Sequence, residues 1–417
     1  VADRDFPGAV TRGDMRYGEG RGRRWETALS RAPCASWIYI AGLENQPETV
    51  DRLARLRPLL GNRGDVLRAV RSPSDVFRAL QAANLPALRV AADADGVPLN
   101  CTWLRKPLAS AGGRGIRLVA SAIEDRDEPC YYQERVDGLS GSALFVADGA
   151  RAALVGVSRQ LHGKPGNAFA YRGSVGPWRL GEAAERQVQA IGRVLAASFG
   201  LIGIFGVDFV LRGNTPFLVE INPRYTASVE VHELATRRSL LAEHVRLCSG
   251  ESLEDDRGPW SAERVIGKAI IYAPCACRFG ESATVHSRAG GARFNDDPYS
   301  VRHHADIPWP AEVFDRGDPV LTLLEASRTI ASCIRRLEAR SARWSRRLSN
   351  RPWTVDPLGR PREGLSDDLA QSTLRNPGGG LVARDRHGFV GQMGSEVEEE
   401  RVRQRTARTP APRHDRR

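Results

Sequence analysis

Lysine is nearly missing from this chain. Of 61 basic residues three are lysines, Lys106, Lys164 and Lys268, and 58 are arginines. A chain that uses arginine wherever a generic cation serves keeps lysine where a compact ammonium is wanted rather than a flat fork. Long apolar runs are missing too. The longest, about residues 196–207, stops at Asp208, well short of the ~20 residues of a membrane-spanning helix. The first ten residues carry Asp3, Arg4 and Asp5 with no apolar stretch, so no secretory leader is expected. The seven cysteines include no C-x-x-C pair. That excludes a disulfide framework and fits reduced thiols and a cytoplasmic protein. With 417 residues, 41% of them hydrophobic, the chain is long enough for two or three subdomains around a real core. A stapled mini-protein, a collagen and a wholly disordered chain are excluded.

The charge is unevenly spread. Residues 335–417 hold 19 Arg and 11 acids, which is +8 of the net +11, and leave +3 on residues 1–334. A basic tail could touch nucleic acid or anionic lipid. In so arginine-rich a composition it reads more simply as a solvated extension, with residues 341–417 disordered. Neither a membrane nor a nucleic acid is therefore an expected partner.

Periodicity and punctuation give a coarse map. Trp37–Ala41 predicts a short buried strand, Pro47–Leu60 a helix closed by Gly61-Asn62, and Ser72–Asn84 a second helix behind a Ser-Pro-Ser-Asp start. Strands are expected at Thr102–Lys106, Ile116–Val119, Tyr131–Val136, Gly141–Val146 and Ala152–Ser158. Val188, Ile191, Leu195 and Phe199 mark one face of a helix over Glu182–Phe199, ended by Gly200. Phe205–Leu211 and Phe217–Ile221 predict a hairpin around a loop at residues 212–216. A single helix over about 228–249, a strand at Lys268–Tyr272, and a strand and helix between Asp318 and Leu337 complete the pattern.

The hairpin carries most of the chemistry. Asp208 and Glu220 each lie six residues from Asn214, so a regular antiparallel pair sets them face to face. Opposed carboxylates destabilise a strand pair, and a divalent cation between them removes the repulsion. Asn222, two residues on, shares the face. Asp, Glu and Asn oxygens suit Mg²⁺, which keeps waters and takes nucleotide phosphates as further ligands. Arg224 follows, able to grip a phosphoryl or carboxylate group. The alternative is a solvent-facing acidic hairpin, but the apolar flanks of both acids favour burial.

A second feature is Lys106 before Ser110-Ala111-Gly112-Gly113-Arg114-Gly115. Glycines between two strands let backbone N–H groups approach phosphate oxygens, and the lysine adds a point charge. The pattern is neither a Walker A loop nor a dinucleotide fingerprint. Third, Gln133, Glu134 and Val136 sit at the exit of a strand, where an adenine edge could be read. His162, with Arg159 and Lys164, could line an acceptor side. Lys268 opens an apolar strand and reads as structural or as a rim charge. Cys275 and Cys277 with His303 and His304 lack zinc-site spacing. A packing role is expected for this region instead.

In this order the motifs resemble the ATP-grasp superfamily. Its pattern is a lysine strand, a glycine-rich loop, a Q-E-x-x-x-G hinge and a hairpin ending in E-x-N-P-R, here Glu220–Arg224. The segments Trp37–Asn45, Leu60–Asn62, Arg159–Leu161, Tyr171–Pro177 and Tyr225–Val231 are similar to predicted ATP-dependent carboligases related to biotin carboxylase. Some of these occur beside enzymes of tetrahydromethanopterin-linked one-carbon metabolism. The resemblance implies an α+β ATP-grasp fold, two subdomains clasping ATP. It places a partial nucleotide-fold-like subdomain at 1–70, the ATP-grasp domain at 71–250, a closing subdomain at 251–340 and the tail beyond. Relatives begin with a complete βαβ unit, so this chain is expected to enter that unit late.

The resemblance also implies roles. Lys106 contacts the α/β-phosphates and Gly112, Gly113 and Gly115 close over the β/γ-phosphates. Gln133, Glu134 and the Val136 backbone take the adenine, and Asp208, Glu220 and Asn222 hold Mg²⁺, or Mn²⁺ in its place. Arg224 steadies the transferring phosphoryl group, so Lys106 and Arg224 are the catalytic side chains. The expected reaction joins a small carboxylate, activated as an acyl phosphate, to an amine, and relatives are commonly homodimers. Carboxylation through carboxyphosphate is the near alternative, and a catalytically inactive ATP-binding protein the distant one.

Overall fold

The computed structural model describes residues 29–30, 36–100, 102–120, 128–254, 261–262, 264–280, 297–309 and 311–350. The expectations for the N-terminal stretch before Leu29 and for the arginine-rich tail past Asn350 lie outside them.

An eight-stranded sheet dominates, in the order β12-β14-β10-β7-β6-β5-β8-β9, with every neighbouring pair antiparallel. Its strands are β5 (Leu139–Asp148), β6 (Ala152–Lys164), β7 (Asn167–Gly176), β8 (Ile202–Arg212), β9 (Thr215–Asn222), β10 (Val265–Tyr272), β12 (His304–Ala305) and β14 (Pro319–Ser327). A four-stranded sheet, ordered β1-β4-β2-β3, is built from β1 (Val90–Ala91), β2 (Trp103–Pro107), β3 (Arg117–Leu118) and β4 (Cys130–Glu134). A short pair joins β11 (Cys277–Arg278) to β13 (Val313–Phe314). Helices and antiparallel sheets together make the expected α+β fold.

Both faces of the large sheet are covered, which explains why its central strands are apolar at successive positions. On one face the helix Glu182–Phe199 lays Val188, Ile191, Leu195 and Ala196 on Phe145, Val157, Phe205 and Val207. Phe145 and Phe205 stack at 5.0 Å, and the helix approaches so closely at Gly192 that a Cβ there would overlap the Phe145 ring. On the other face the helices Val229–Thr236 and Leu240–Cys248 pack Val229, Leu240 and Leu247 over Leu144, Val146 and Ile204. Alternation along β5 and β8 puts Ser142 and Asp208 on this second face.

Several elements depart from the sequence reading. Trp37–Ala41 makes one parallel bridge, Trp37 to Leu59, rather than a strand. The first helix stops at Leu56, and a separate helix, Gly64–Val70, follows it. Residues 228–249 form two helices, because Arg237 turns left-handed (φ 55°) and the Ser239 hydroxyl caps the second by accepting from the Ala242 N–H. β7 was not anticipated at all. The last helix, Ile330–Ser349, passes the expected boundary at 340, since Trp344 and Leu348 are buried against the sheet with Cys333 and Leu337.

Candidate active site

A solvent-open cleft lies between the helix Pro73–Ala82, the four-stranded sheet and the edge strand β9. Arg71, Lys106, Gly113, Tyr131, Gln133 and Glu220 all contribute to its wall.

Lys106 is buried on β2, and its Nζ donates to the Gln133 Oε1 at 3.1 Å and the Val219 carbonyl at 2.8 Å. Tyr131 lies beneath it, 5.5 Å from Nζ to the ring centre. These acceptors are neutral, so they fix the ammonium without cancelling its charge. Gln133 and Tyr131 alternate with Tyr132, which packs in the small core on the opposite face beside Trp103. Glu134 follows that opposite parity. Its carboxylate meets Arg89 at 3.2 Å and its N–H donates to the Arg89 carbonyl at 2.9 Å, so neither is open to a ligand in the cleft. Val136 is half-buried just beyond β4.

The glycine loop is seated against β7. The Tyr171 N–H donates to the Gly112 carbonyl at 3.4 Å, and the Asn167 amide to the Gly113 carbonyl at 3.0 Å. Gly113 (φ 77°) has no space for a side chain, since a Cβ would overlap the Phe169 carbonyl. Gly115 turns over Pro107 in the same left-handed region.

The hairpin delivers the expected pair. Asp208 is the register partner of Glu220, and Gly206 of Asn222. The turn is tighter than expected, with Arg212 opposite Thr215, and Val219 bulges out of β9 between the partners of Asp208 and Phe209. Burial, with the Glu220 charge added, pushes the Asp208 carboxyl up to about 6, against hydrogen bonds from Ser142 and Gln160 and the positive Arg224. Asn222 Nδ2 donates to Asp208 Oδ2 at 3.1 Å. Arg224 donates to Asn222 Oδ1 at 3.1 Å and to Glu44 Oε1 at 2.7 Å, where Glu44 is almost completely buried. Two opposed carboxylates, Asp208 desolvated and Glu220 partly open to solvent, and an amide fit a hard divalent cation. Among the described residues no three His, Cys, Asp or Glu side chains converge as a metal group, so the site would rest on Asp208, Glu220 and Asn222.

Two contributors escaped the sequence reading. Arg71 donates to Glu220 Oε1 at 3.1 Å and to the Ser110 carbonyl at 2.8 Å, and it also bonds Asn45 Oδ1. It ties the hairpin to the base of the glycine loop. No motif singles out one arginine among 58. Glu44 was visible only as part of a matching segment, and its role as the anchor of Arg224 was not.

Other candidates lie elsewhere. Arg159 points to the face opposite Ser158 and Gln160, over the Trp178 ring at 5.0 Å. His162 is exposed, and Lys164 donates to the Gly317 carbonyl at 2.9 Å. Cys277 is buried beside Phe279 and Phe314, and His304 sits edge-on to Trp344.

A family model described as the ATP-grasp domain matches residues 74–228. An uncharacterized protein of Methanocaldococcus jannaschii is 23% identical over 257 residues, covering 60% of this chain and 57% of that protein. Formate-dependent phosphoribosylglycinamide formyltransferase of Psychromonas ingrahamii is 27% identical over 189 residues, 41% of this chain and 42% of the enzyme. The chain thus spans about half the length of these curated relatives. Among solved structures, biotin carboxylase of Campylobacter jejuni, in a complex with β,γ-ATP, superposes with a TM-score of 0.58 at 13% identity, over 76% of each chain. The N5-carboxyaminoimidazole ribonucleotide synthetase of Thermus thermophilus gives 0.56 at 18% identity, over 79% of this chain and 86% of that one. These two likenesses are likenesses of fold. No helix of the described residues is long and apolar enough to cross a membrane.

Proposed function

We propose that the chain is an ATP-grasp enzyme, its ATP-grasp domain being the match at residues 74–228, and a Mg-ATP-dependent ligase that activates a small carboxylate for attack by an amine. The observation that carries this reading is Asp208 set opposite Glu220 on one wall of the cleft that holds Lys106. One curated relative is a formate-dependent formyltransferase, and the biotin carboxylase of similar fold was solved in complex with β,γ-ATP.

The residues divide the work by charge. The Lys106 ammonium, held by neutral acceptors, takes the α/β-phosphates, and the loop at Gly112, Gly113 and Gly115 offers backbone N–H groups to the β/γ end. The Glu134 carbonyl and the Val136 backbone read the adenine edge, with Gln133 orienting Lys106. Asp208, Glu220 and Asn222 hold Mg²⁺, whose chemistry is to neutralise phosphate charge. A substrate carboxylate oxygen then attacks the γ-phosphorus and ADP leaves. Arg224, locked by Glu44 and Asn222, steadies the acyl phosphate until the amine displaces phosphate. Catalysis of this kind is positioning plus charge stabilisation, which is why the site shows cations and oxygen ligands and no dedicated nucleophile.

The test is ADP release from Mg-ATP by the purified chain, offered pooled small carboxylic acids with pooled amines. Release that needs one acid and one amine, and that Lys106→Ala loses, supports the ligase. Release that needs bicarbonate alone points to carboxylation, and nucleotide binding without release under any pool overturns the ligase reading.

A further inference from the structure

Arg71 joins three parts of the chain around the cleft. It follows the helix Gly64–Val70 as its C-cap, and with Glu220 it lines the cleft. Its Nη1 donates to Glu220 Oε1 at 3.1 Å, on the edge strand of the large sheet. Its Nη2 donates to the Leu108 carbonyl at 3.3 Å and to the Ser110 carbonyl at 2.8 Å, at the base of the glycine loop. Nη2 also bonds Asn45 Oδ1, in the turn Leu43–Asn45. Asn45 Nδ2 donates in turn to the Ser110 carbonyl at 3.3 Å. Glu44, the neighbour of Asn45, holds Arg224. One turn thus seats two arginines, the first bonded to Glu220 and the second to Asn222.

The acceptors of Arg71 are not alike. Leu108, Ser110 and Asn45 offer neutral oxygens that fix the plane of the guanidinium. Glu220 alone supplies a compensating charge. The arginine side chain is 17% exposed, so Glu220 rather than water carries most of that compensation. Yet Glu220 is also one of the two carboxylates that face each other across the hairpin. A divalent cation drawn to Asp208 and Glu220 takes up the Glu220 charge. The guanidinium is then still anchored by its neutral acceptors, but uncompensated and beside the cleft. Its fork of N–H donors suits a phosphate oxyanion.

We propose that Arg71 binds the terminal phosphate of the nucleotide and that the divalent cation arms it by taking over Glu220. The inference rests on the ligase reading and deepens it, adding a second arginine to the phosphate end of the site and a condition for its use. A cation arriving alone meets the like charge of Arg71. A phosphate arriving alone meets the Glu220 carboxylate beside the arginine that is to receive it. Arriving together, each removes the repulsion that the other faces. Cation and phosphate therefore bind cooperatively, and the coupling is reciprocal.

The experiment uses the full chain without nucleotide, with inorganic phosphate as the anion probe and Mn²⁺ as the cation probe. Calorimetry reads phosphate binding and electron paramagnetic resonance reads Mn²⁺ binding. In the wild type, phosphate should bind at least tenfold more tightly with Mn²⁺ than without it. Arg71→Gln should bind Mn²⁺ alone more tightly than wild type, and phosphate in the presence of Mn²⁺ at least tenfold more weakly. These opposite signs separate an anion-binding residue from a structural one, whose loss weakens both. Glu220→Gln removes the competing charge and leaves Arg71 in place, so it should bind phosphate at least threefold more tightly than wild type in metal-free solution. That variant remains informative where Arg71→Gln misfolds. Weaker Mn²⁺ binding or unchanged phosphate binding in Arg71→Gln, no phosphate binding by any of the three proteins, or acetate bound in preference to phosphate overturns the inference and leaves the ligase reading standing. Failure of MgADP to bind the wild type overturns the ligase reading instead, and the nucleotide-free titrations still decide the role of Arg71.

Discussion

Lys106 donates its 2.8 Å hydrogen bond to the carbonyl of Val219, the one residue that β9 bulges out of register. A single irregularity thus serves two ends. It breaks the alternation of β9 so that Glu220 and Asn222 share the face of Asp208, and it frees a carbonyl to hold the nucleotide-side lysine. Lys106→Ala should lower MgADP affinity by about ten- to a hundredfold, the ~1.5–3 kcal/mol of a hydrogen bond to a charged group. Lys106→Arg should not restore it, because a planar fork cannot take both the Val219 carbonyl and Gln133 in the space of an ammonium. Calorimetric titration of the two variants measures this, and wild-type affinity in either would remove Lys106 from the site.

Glu220→Gln should abolish ADP release and spare the fold. The side chain is 31% exposed and makes its ion pair with Arg71, whose remaining bonds to Asn45 and the Ser110 carbonyl hold that arginine in place. Removing one of two facing carboxylates also relieves the repulsion that raises Asp208. The melting temperature is expected to stay within a few degrees of wild type. Unchanged ADP release in the variant would refute Glu220 as a cation ligand.

The hairpin was legible because two departures from regularity cancel. Counting six residues from Asn214 assumes a three-residue symmetry about that residue. The turn instead pairs Arg212 with Thr215, about a centre between Gly213 and Asn214, and the Val219 bulge then shifts the far half by the missing half-step. Without that bulge Asp208 would face Val219. The helix Glu182–Phe199 was legible because its apolar period runs five turns against one sheet face. β7 was not, since Asn167–Gly176 mixes glycine, alanine and arginine without alternation and owes its strand to hydrogen bonding between β6 and β10. Arg71, Glu44 and the pairing of Lys268 with Glu230 were illegible for a common reason. Each acts through a partner 38 to 180 residues away, and no local pattern marks such a residue.

The glycine loop separates two substitutions that a motif would treat alike. Gly112 (φ 63°) has open space around a built Cβ, whereas a Cβ on Gly113 (φ 77°) collides with the Phe169 backbone. Gly112→Ala pays only left-handed strain, about 1 kcal/mol, and should keep MgADP affinity within a fewfold of wild type. Gly113→Ala must lift the loop off β7 and should weaken MgADP binding tenfold or more. Titrating both variants side by side checks this; equal behaviour would mean that the seat on β7 is irrelevant to nucleotide binding.

His232 makes part of the stability sensitive to mild acid. It is fully buried on the helix Val229–Thr236, its Nε2 is 3.0 Å from the Ser158 hydroxyl, and burial pushes it down to about 4 from an ordinary value of 6.5. The folded state holds the ring neutral, while the unfolded chain protonates it near 6.5. The His232 contribution to stability is therefore fully present above pH 6.5 and is lost as the pH falls through the window down to about 4, opposed below about 6 by Asp208, whose raised carboxyl favours the folded state on protonation. The span is worth about 3 kcal/mol, or roughly 5–10 °C in melting temperature. His244 is lowered by burial as well, and acts in the same direction. His232→Gln should melt lower than wild type at pH 7.5, because it disturbs packing against Gly156, yet lose less on going to pH 5. Melting curves at the two pH values decide it: parallel losses in both proteins would assign the acid sensitivity to other groups.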